Sequence, residues 1–309
     1  MTVNNSPTGL SQSAPGQWPL PPNAFKAALA RSEQMTGLWC SLADPYAAEI
    51  VAGAGFDWLL LDTEHSHADV ATVLSQLQAV AAYSCSPVVR PPVNDPVVIK
   101  RLLDIGAQSL LIPQVESAEE ARAAVAATRY APVGVRGVSA LTRATRFGRV
   151  KDYAALAHTE LCVLVQVESR HALEQIEQIA SVDGVDGIFI GPSDLAASLG
   201  HPGDPNAPSV IEAVEEAIGR VRAADRPAGV LTTNPTFARR CIDLGTTFTA
   251  VGVDVGLLAR AADALARTFT NQCCGDCCAC RREPGPGVKF RVAPGMHARD
   301  GERSVARPE

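Results

Sequence analysis

Eight short apolar segments recur along the chain, and this repetition constrains the fold more than any other feature of the sequence. The segments are rich in Val, Ile and Leu, and most lack polar alternation, which is typical of strands buried on both faces. They lie at residues 38–42, 58–62, 87–90, 109–115, 161–168, 187–191, 228–232 and 248–253. Amphipathic helical patterns lie between them at 68–82, 96–103, 118–128, 172–179, 210–222 and 236–244. Eight strands alternating with helices predict an α/β fold, a parallel (β/α)8 TIM barrel.

The alternative fold is an open, doubly wound sheet. No Gly-x-Gly-x-x-Gly motif follows the first strand to favour a dinucleotide-binding version of it. Residues 23–270 have about the length typical of one barrel, roughly 250 residues. Residues 1–22 are polar and rich in Pro, and residues 271–309 are rich in Cys and then in Gly, Pro and Arg, so both ends are predicted to be disordered.

Charge and composition exclude several classes of partner. The net charge is −6 with 27 basic and 33 acidic residues, which argues against a nucleic-acid partner. No stretch approaches the length of a membrane span, and residues 1–22 show no secretory signal, so a cytoplasmic protein is expected. Of nine cysteines, five crowd into residues 273–280, where a metal-binding scaffold is a non-enzymatic alternative; the others are predicted to be buried: Cys40, Cys85, Cys162 and Cys241.

Polar side chains gather where the predicted strands end. In a barrel these ends share one mouth, where catalytic groups lie. The residues are Asp62, His65, Arg90, Gln166, Glu168, Ser193 and Asp194. Purely structural alternatives exist, such as Asp194 as a helix cap, Glu168 as a solvent-facing carboxylate and His65 as a loop histidine.

This set has a chemical logic. Glu168 and Asp194 are poor ligands for zinc but suit Mg²⁺ or Mn²⁺. Arg90 can stabilise a developing oxyanion, and His65 is a candidate acid/base that Asp104, in the following helix, would orient. No lysine stands at a strand end, which argues against a Schiff-base aldolase and favours metal-stabilised enolate chemistry.

Several separated motifs in the same order resemble the HpcH/HpaI aldolase family. The matching segments are Ala52-Gly53-Ala54-Gly55-Phe56-Asp57-Trp58-Leu59-Leu60-Leu61-Asp62-Thr63-Glu64-His65, Pro87-Val88-Val89-Arg90-Pro91, Arg136-Gly137-Val138, Val165-Gln166-Val167-Glu168, Ile190-Gly191-Pro192-Ser193-Asp194-Leu195 and Ala250-Val251-Gly252-Val253-Asp254. The resemblance implies a barrel whose last helix is exchanged between subunits, in a homohexamer built from dimers. It also implies reversible cleavage of 4-hydroxy-2-oxo acids, such as 4-hydroxy-2-oxoheptanedioate, to pyruvate and an aldehyde such as succinate semialdehyde, in the catabolism of aromatic compounds.

The resemblance also implies roles for individual residues. Glu168 and Asp194 would bind a divalent metal (Mg²⁺, Mn²⁺ or Co²⁺), and Gln166 and Ser193 would contact the pyruvate half, with Asp62 beside the site. Arg90 would stabilise the enolate, and His65 with Asp104 would form an acid/base dyad.

Three departures from the family pattern stand out. Thr63 replaces a usual Gly, Ser193 replaces a common Ala, and the loop after Arg136-Gly137 is one residue shorter. An acyl-CoA lyase of the citramalyl-CoA type, on the same barrel, is the alternative enzyme.

Overall fold

The computed structural model describes residues 18–270, which contain eight parallel strands in sequence order around a closed barrel. The strands are β1 (Met35–Cys40), β2 (Trp58–Asp62), β3 (Ser86–Arg90), β4 (Ser109–Ile112), β5 (Cys162–Val167), β6 (Gly187–Ile190), β7 (Ala228–Leu231) and β8 (Phe248–Val253). Because β8 pairs with β1 as well as with β7, the sheet has no edge. The predicted (β/α)8 barrel is confirmed, and the open sheet is excluded.

Helices alternate with the strands. They are α1 (Ala24–Ala30), α2 (Pro45–Ala52), α3 (Val70–Ala79), α4 (Pro96–Asp104), α5 (Ala118–Ala127), α6 (Tyr153–Glu160), α7 (Arg170–Glu174), α8 (Ile176–Ala180), α9 (Pro192–Ser198), α10 (Pro208–Ala223), α11 (Pro235–Asp243) and α12 (Asp254–Thr270). The helix predicted at 172–179 is two short helices, α7 and α8. The sequence patterns did not identify α1, α2, α6, α9 or α12. No helix within residues 18–270 combines the length and the apolar character that crossing a bilayer requires.

The chain divides into two units, Met1–Ala262 and Asp263–Glu309, and the barrel lies in the first. The predicted exchange of the last helix between subunits stays a prediction. The cysteine-rich segment and residues 1–17 lie outside the described residues. Trp18, the first described residue, pairs with Val150.

Aromatic side chains fill the barrel interior at the end where the strands begin. Phe25 of α1 lies 5.7 Å from the Trp58 ring and 6.0 Å from the Phe248 ring, measured between centroids. Gly37 and Gly229 make room for these rings, since a Cβ at either position would lie 2.2 Å from a ring atom. Because apolar rings fill the barrel interior at this end, space between the strands for polar side chains is expected at the opposite end, where the strands finish.

The four scattered cysteines that the sequence predicts to be buried are all buried and free, at Cys40, Cys85, Cys162 and Cys241. They pack as small apolar groups in the core, which confirms the prediction.

Candidate active site

The centre of the site is an ion pair between Asp62 and Arg90, which the register of β2 and β3 sets side by side. Arg90 donates from Nε to Asp62 Oδ1 at 2.9 Å and from Nη2 to Asp62 Oδ2 at 2.8 Å, so the pair is bidentate. Burial acts to raise the pKa of Asp62, but the hydrogen bonds and charge of Arg90 outweigh it and hold that pKa below its ordinary value. Trp39 completes the arrangement, with its ring 4.9 Å from the guanidinium and its Nε1 donating to Asp62 at 3.3 Å. The guanidinium is therefore fixed in one orientation.

Glu64 is a site residue that the sequence analysis did not select. Its Oε2 lies 2.8 Å from Arg90 Nη1 and 3.9 Å from His65 Nε2. Its backbone N–H donates to Asp62 Oδ1 at 3.0 Å, which folds the loop after β2 over the strand end. Burial raises the pKa of this carboxyl, against the opposing effect of Arg90. The only signal in the sequence was its position, directly before His65 and two residues after Asp62.

Gln166 and Glu168 come from the end of β5 and contact each other. Gln166 Nε2 donates to Glu168 Oε2, and the backbone N–H of Gln114 donates to Glu168 Oε1 at 2.8 Å. Burial raises the pKa of Glu168 to about 7, with the negative charge of Asp194 adding to the increase. The predicted alternative of a solvent-facing Glu168 is therefore wrong, because only 4% of this residue is exposed.

The turn from β6 into α9 carries Ser193 and Asp194. Gly191 is the N-cap of α9, and Asp194 stands in the first helical turn. A Cβ at Gly191 would lie 2.6 Å from Glu168 Oε2 and 2.9 Å from Gln166 Nε2, so the missing side chain lets this turn approach the end of β5. A carboxylate in a first turn stabilises a helix, but the charge of Asp194 also acts on Glu168. Asp194 is therefore more than a helix-stabilising group.

A cavity of about 210 Å³ opens at this end of the barrel. It is lined by most of the predicted site residues together with apolar and aromatic walls: Trp39, Ser41, Asp62, His65, Arg90, Gln166, Phe189, Gly191, Pro192, Ser193, Asp194, Leu231 and Val253. The His65 side chain is 62% exposed and stands at the rim. A larger cavity, of about 290 Å³, lies near the starts of β3 and β4 and contains none of the predicted site residues. The smaller cavity is the candidate active site because the carboxylates and the guanidinium meet there.

Two predicted site residues do not line this cavity. Glu168 lies beside it and contacts Gln166, which does line it, whereas Asp104 lies elsewhere. It is the last residue of α4, and its Oδ1 lies 3.3 Å from Arg136 Nη2. The reason is topological: α4 runs back from the mouth for nine residues, which is about 13 Å of helix. His65 follows β2 at the mouth itself. Within one copy of residues 18–270, Asp104 therefore lies away from His65, and the predicted dyad is not formed.

The donors at the mouth suit a hard divalent cation. Among residues 18–270 no group of three or more His, Cys, Asp or Glu side chains is placed to hold a metal, and the predicted ligands are the pair Glu168 and Asp194. Such a set suits Mg²⁺ or Mn²⁺, which complete their shells with water and substrate oxygens. Asp62 and Glu64 both contact the Arg90 guanidinium, whereas Glu168 is subject to the negative charges of Asp194 and Glu64. A divalent cation would offset the negative charge around Glu168.

The comparisons with known proteins agree with this geometry. Residues 35–261 match the family model described as HpcH/HpaI aldolase/citrate lyase. A Rhizobium etli protein named pyruvate aldolase is 64% identical over 250 residues, which cover 81% of this chain and 98% of that protein. A Klebsiella pneumoniae protein named 4-hydroxy-2-oxo-heptane-1,7-dioate aldolase is 57% identical over 250 residues, covering 81% and 94%. A crystal structure of a Burkholderia cenocepacia protein of the HpcH/HpaI family covers 80% of this chain and 99% of its own, with 39% identity and a TM-score of 0.77. The chain therefore belongs to the HpcH/HpaI aldolase/citrate lyase family, as the resemblance of its motifs predicted.

Proposed function

We propose that this chain is a divalent-metal-dependent aldolase that reversibly cleaves 4-hydroxy-2-oxo acids to pyruvate and an aldehyde. The observation that carries the proposal is that Glu168, Asp194, Arg90 and Gln166 meet at one barrel mouth. The proposed ligands of a hard cation then lie next to the side chains that would bind a keto acid. The two relatives named as aldolases, at 64% and 57% identity, support the same chemistry. The first substrate to test is 4-hydroxy-2-oxoheptanedioate, which would yield succinate semialdehyde.

The proposed metal site consists of Glu168 and Asp194. Members of the family generally depend on a divalent metal, and Mg²⁺, Mn²⁺ and Co²⁺ are the candidates here. When bound, the cation would supply Lewis-acid polarisation of the substrate's 2-oxo group. The buried carboxylate of Glu168, whose pKa burial raises to about 7, fits this role because a cation would stabilise its charged form.

Different residues of the site would bind the substrate, stabilise negative charge and transfer the proton. Gln166 and the backbone of Ser193 hold the pyruvate half of the substrate. Arg90, fixed by Asp62, offers its guanidinium to the oxygen on which negative charge develops. His65 accepts the proton of the 4-hydroxyl, directly or through a water, as the aldehyde carbonyl forms. The C3–C4 bond breaks, its electron pair passes to the pyruvate enolate, and C3 is then protonated.

The proposed assembly is a cytoplasmic homohexamer built from dimers, with α12 exchanged between copies, acting in the catabolism of aromatic compounds. One chain keeps Asp104 and His65 at opposite ends of the barrel. The acid/base dyad that the resemblance implies would therefore need Asp104 from a neighbouring copy.

The test is pyruvate release by the full chain, measured with lactate dehydrogenase and NADH. Treatment with EDTA should abolish turnover, and Mg²⁺, Mn²⁺ or Co²⁺ should restore it. Glu168→Gln should lose Mn²⁺ binding, measured by electron paramagnetic resonance, and activity with it. Glu212→Gln, an exposed glutamate of α10, is the matched control. Full activity of the wild-type chain in excess chelator would refute the metal-dependent mechanism.

Two further experiments distinguish the aldolase from the acyl-CoA lyase and from the non-enzymatic scaffold. Citramalyl-CoA is offered beside the free 2-oxo acid, and turnover of the thioester alone would favour an acyl-CoA lyase. Truncation after Thr270 removes the cysteine-rich segment. We expect the truncated chain to keep both metal binding and turnover, whereas loss of metal binding without any turnover would favour a scaffold.

A further inference from the structure

Glu64 lies between the two side chains that the proposed reaction uses for charge stabilisation and for proton transfer. Its Oε2 is 2.8 Å from Arg90 Nη1 and 3.9 Å from His65 Nε2. The Glu64 side chain is 9% exposed, whereas that of His65 is 62% exposed. One carboxylate thus connects a guanidinium in the wall of the cavity to an imidazole at its rim.

Hydrogen bonds from the same loop hold Glu64 in this place. The Thr63 backbone N–H and Oγ1 both donate to the carbonyl oxygen of Arg90, at 3.1 Å and 2.6 Å. The Glu64 N–H donates to Asp62 Oδ1 at 3.0 Å, and Ser66 Oγ donates to the Asp62 carbonyl oxygen. The loop after β2 is therefore tied to both strands that carry the central ion pair.

A contribution to the stability of the fold does not by itself explain why position 64 carries a carboxylate. Arg90 already has a bidentate carboxylate partner in Asp62. Glu64 Oε2 is buried and, among the described residues, no donor is aligned with it for a hydrogen bond, so its contact with Arg90 is ionic only. A buried oxygen without an aligned donor costs free energy. Such a cost persists at functional sites when the group serves the reaction.

We propose that Glu64 is a positioning residue, whose carboxylate fixes the His65 imidazole relative to the Arg90 guanidinium across the cavity. The inference rests on the proposed aldolase function. Glu64 does not touch the reacting atoms in this arrangement; it acts through the two side chains beside it. Asp62 still holds Arg90 when Glu64 is replaced by an uncharged residue. A substitution at Glu64 should therefore lower turnover more than it weakens substrate binding.

The experiment uses the full chain with saturating Mg²⁺ and 4-hydroxy-2-oxoheptanedioate. Glu64→Gln should lower kcat about tenfold or more and leave KM within about threefold, since small displacements of catalytic groups cost mainly turnover. Glu64→Asp keeps the charge and should recover part of the loss, whereas the control Glu212→Gln should match wild type. Mn²⁺ affinity, measured by electron paramagnetic resonance, should change far less than kcat.

A double-mutant cycle with His65→Asn tests whether Glu64 acts through the imidazole. In the His65→Asn background, Glu64→Gln should lower kcat by no more than about twofold, because residues that act as one unit are not additive. An equal loss in both backgrounds, or a Glu64→Gln kcat within about twofold of wild type, would overturn the proposal.

If Glu64→Gln does not fold, the kcat and KM of Glu64→Asp test the proposal instead. A reduced kcat with unchanged KM then supports the positioning role, and an unchanged kcat overturns it. Absence of turnover in the wild-type chain refutes the proposed function, and this inference with it, so the two failures are distinguishable.

Discussion

Removing the charge of Asp62 should destabilise the barrel strongly. Asp62 is 1% exposed and Arg90 is 5% exposed, and two hydrogen bonds of 2.9 Å and 2.8 Å join them. Asp62→Asn keeps the shape of the side chain but leaves the guanidinium buried without its bidentate partner. Breaking one side of a buried pair costs about 3–5 kcal/mol.

The expected loss lies at the lower end of that range. Glu64 Oε2 stays 2.8 Å from Arg90 Nη1 and offsets part of the positive charge that Asp62 no longer balances. The free energy of unfolding should therefore fall by about 3 kcal/mol. At about 2–4 °C per kcal/mol for a chain of this size, Tm should fall by about 6–12 °C. Urea unfolding followed by circular dichroism and thermal melts measure the two quantities independently.

The pH dependence of this loss has a definite sign. The pKa of Asp62 in the folded chain lies below its ordinary value of 3.8. The stabilisation by its charge is therefore fully present above that value and is lost as the pH falls through the lower folded pKa. The difference between wild type and Asp62→Asn should stay constant from neutral pH to about pH 5 and shrink only in stronger acid.

An exposed ion pair provides the control. Glu177 and Arg220 form a 2.7 Å pair whose side chains are 54% and 30% exposed. Because solvent screens such pairs, Glu177→Gln should cost about 1 kcal/mol at most. If Asp62→Asn costs no more than this control, the central ion pair does not stabilise the barrel in the way that its burial implies.

Two smaller changes test the packing around the site, and a third tests the packing of the barrel interior at the other end. Gly191→Ala should weaken Mn²⁺ binding about tenfold or more, because its Cβ would lie 2.6 Å from Oε2 of Glu168, the proposed ligand, and displace it. Unchanged affinity would contradict the close approach of α9. Thr63→Val should lower the free energy of unfolding in urea by about 1 kcal/mol, since it removes the 2.6 Å hydrogen bond to the Arg90 carbonyl oxygen, and Thr63→Ser should keep most of it. Gly229→Ala should cost about 1–3 kcal/mol in the same assay, because its Cβ would lie 2.2 Å from the phenyl ring beside it, and a Tm equal to wild type would show free volume in the interior.

The sequence was sufficient for the barrel because its strands are buried on both faces. Each of the eight apolar segments overlaps an observed strand, and Trp58–Asp62 and Phe248–Val253 match in full. The ends differ where the backbone turns: the segment predicted at 109–115 stops as a strand at Ile112. Pro113 lacks an N–H, and Gln114 has a positive φ of 51°, which no strand contains. The short helices α7, α8 and α9, of five to seven residues, span too few turns for periodicity to locate their ends.

Much of the site could also be predicted, because position at a strand end is a property of the sequence. Asp62, Arg90 and Gln166 line the cavity for this reason. The close contact of Gly191 with the end of β5 could not be predicted, since it depends on how two neighbouring strands are staggered. The importance of Trp39 is likewise visible only when its ring is seen against the guanidinium.

The choice of a carboxylate partner for His65 shows where chain position informs and where it misleads. Asp104 is an acidic residue in the helix after β3, but the last residue of a nine-residue helix lies at the far end of the barrel from the carboxyl end of the strand that precedes it. That placement follows from barrel topology and could have been derived from the predicted helix at 96–103 alone. Glu64 required the structure, because a residue two positions beyond a strand can face either the cavity or the solvent. The loop hydrogen bonds of Thr63 and Glu64 decide this orientation, and they bring Glu64, rather than Asp104, to the imidazole within one chain.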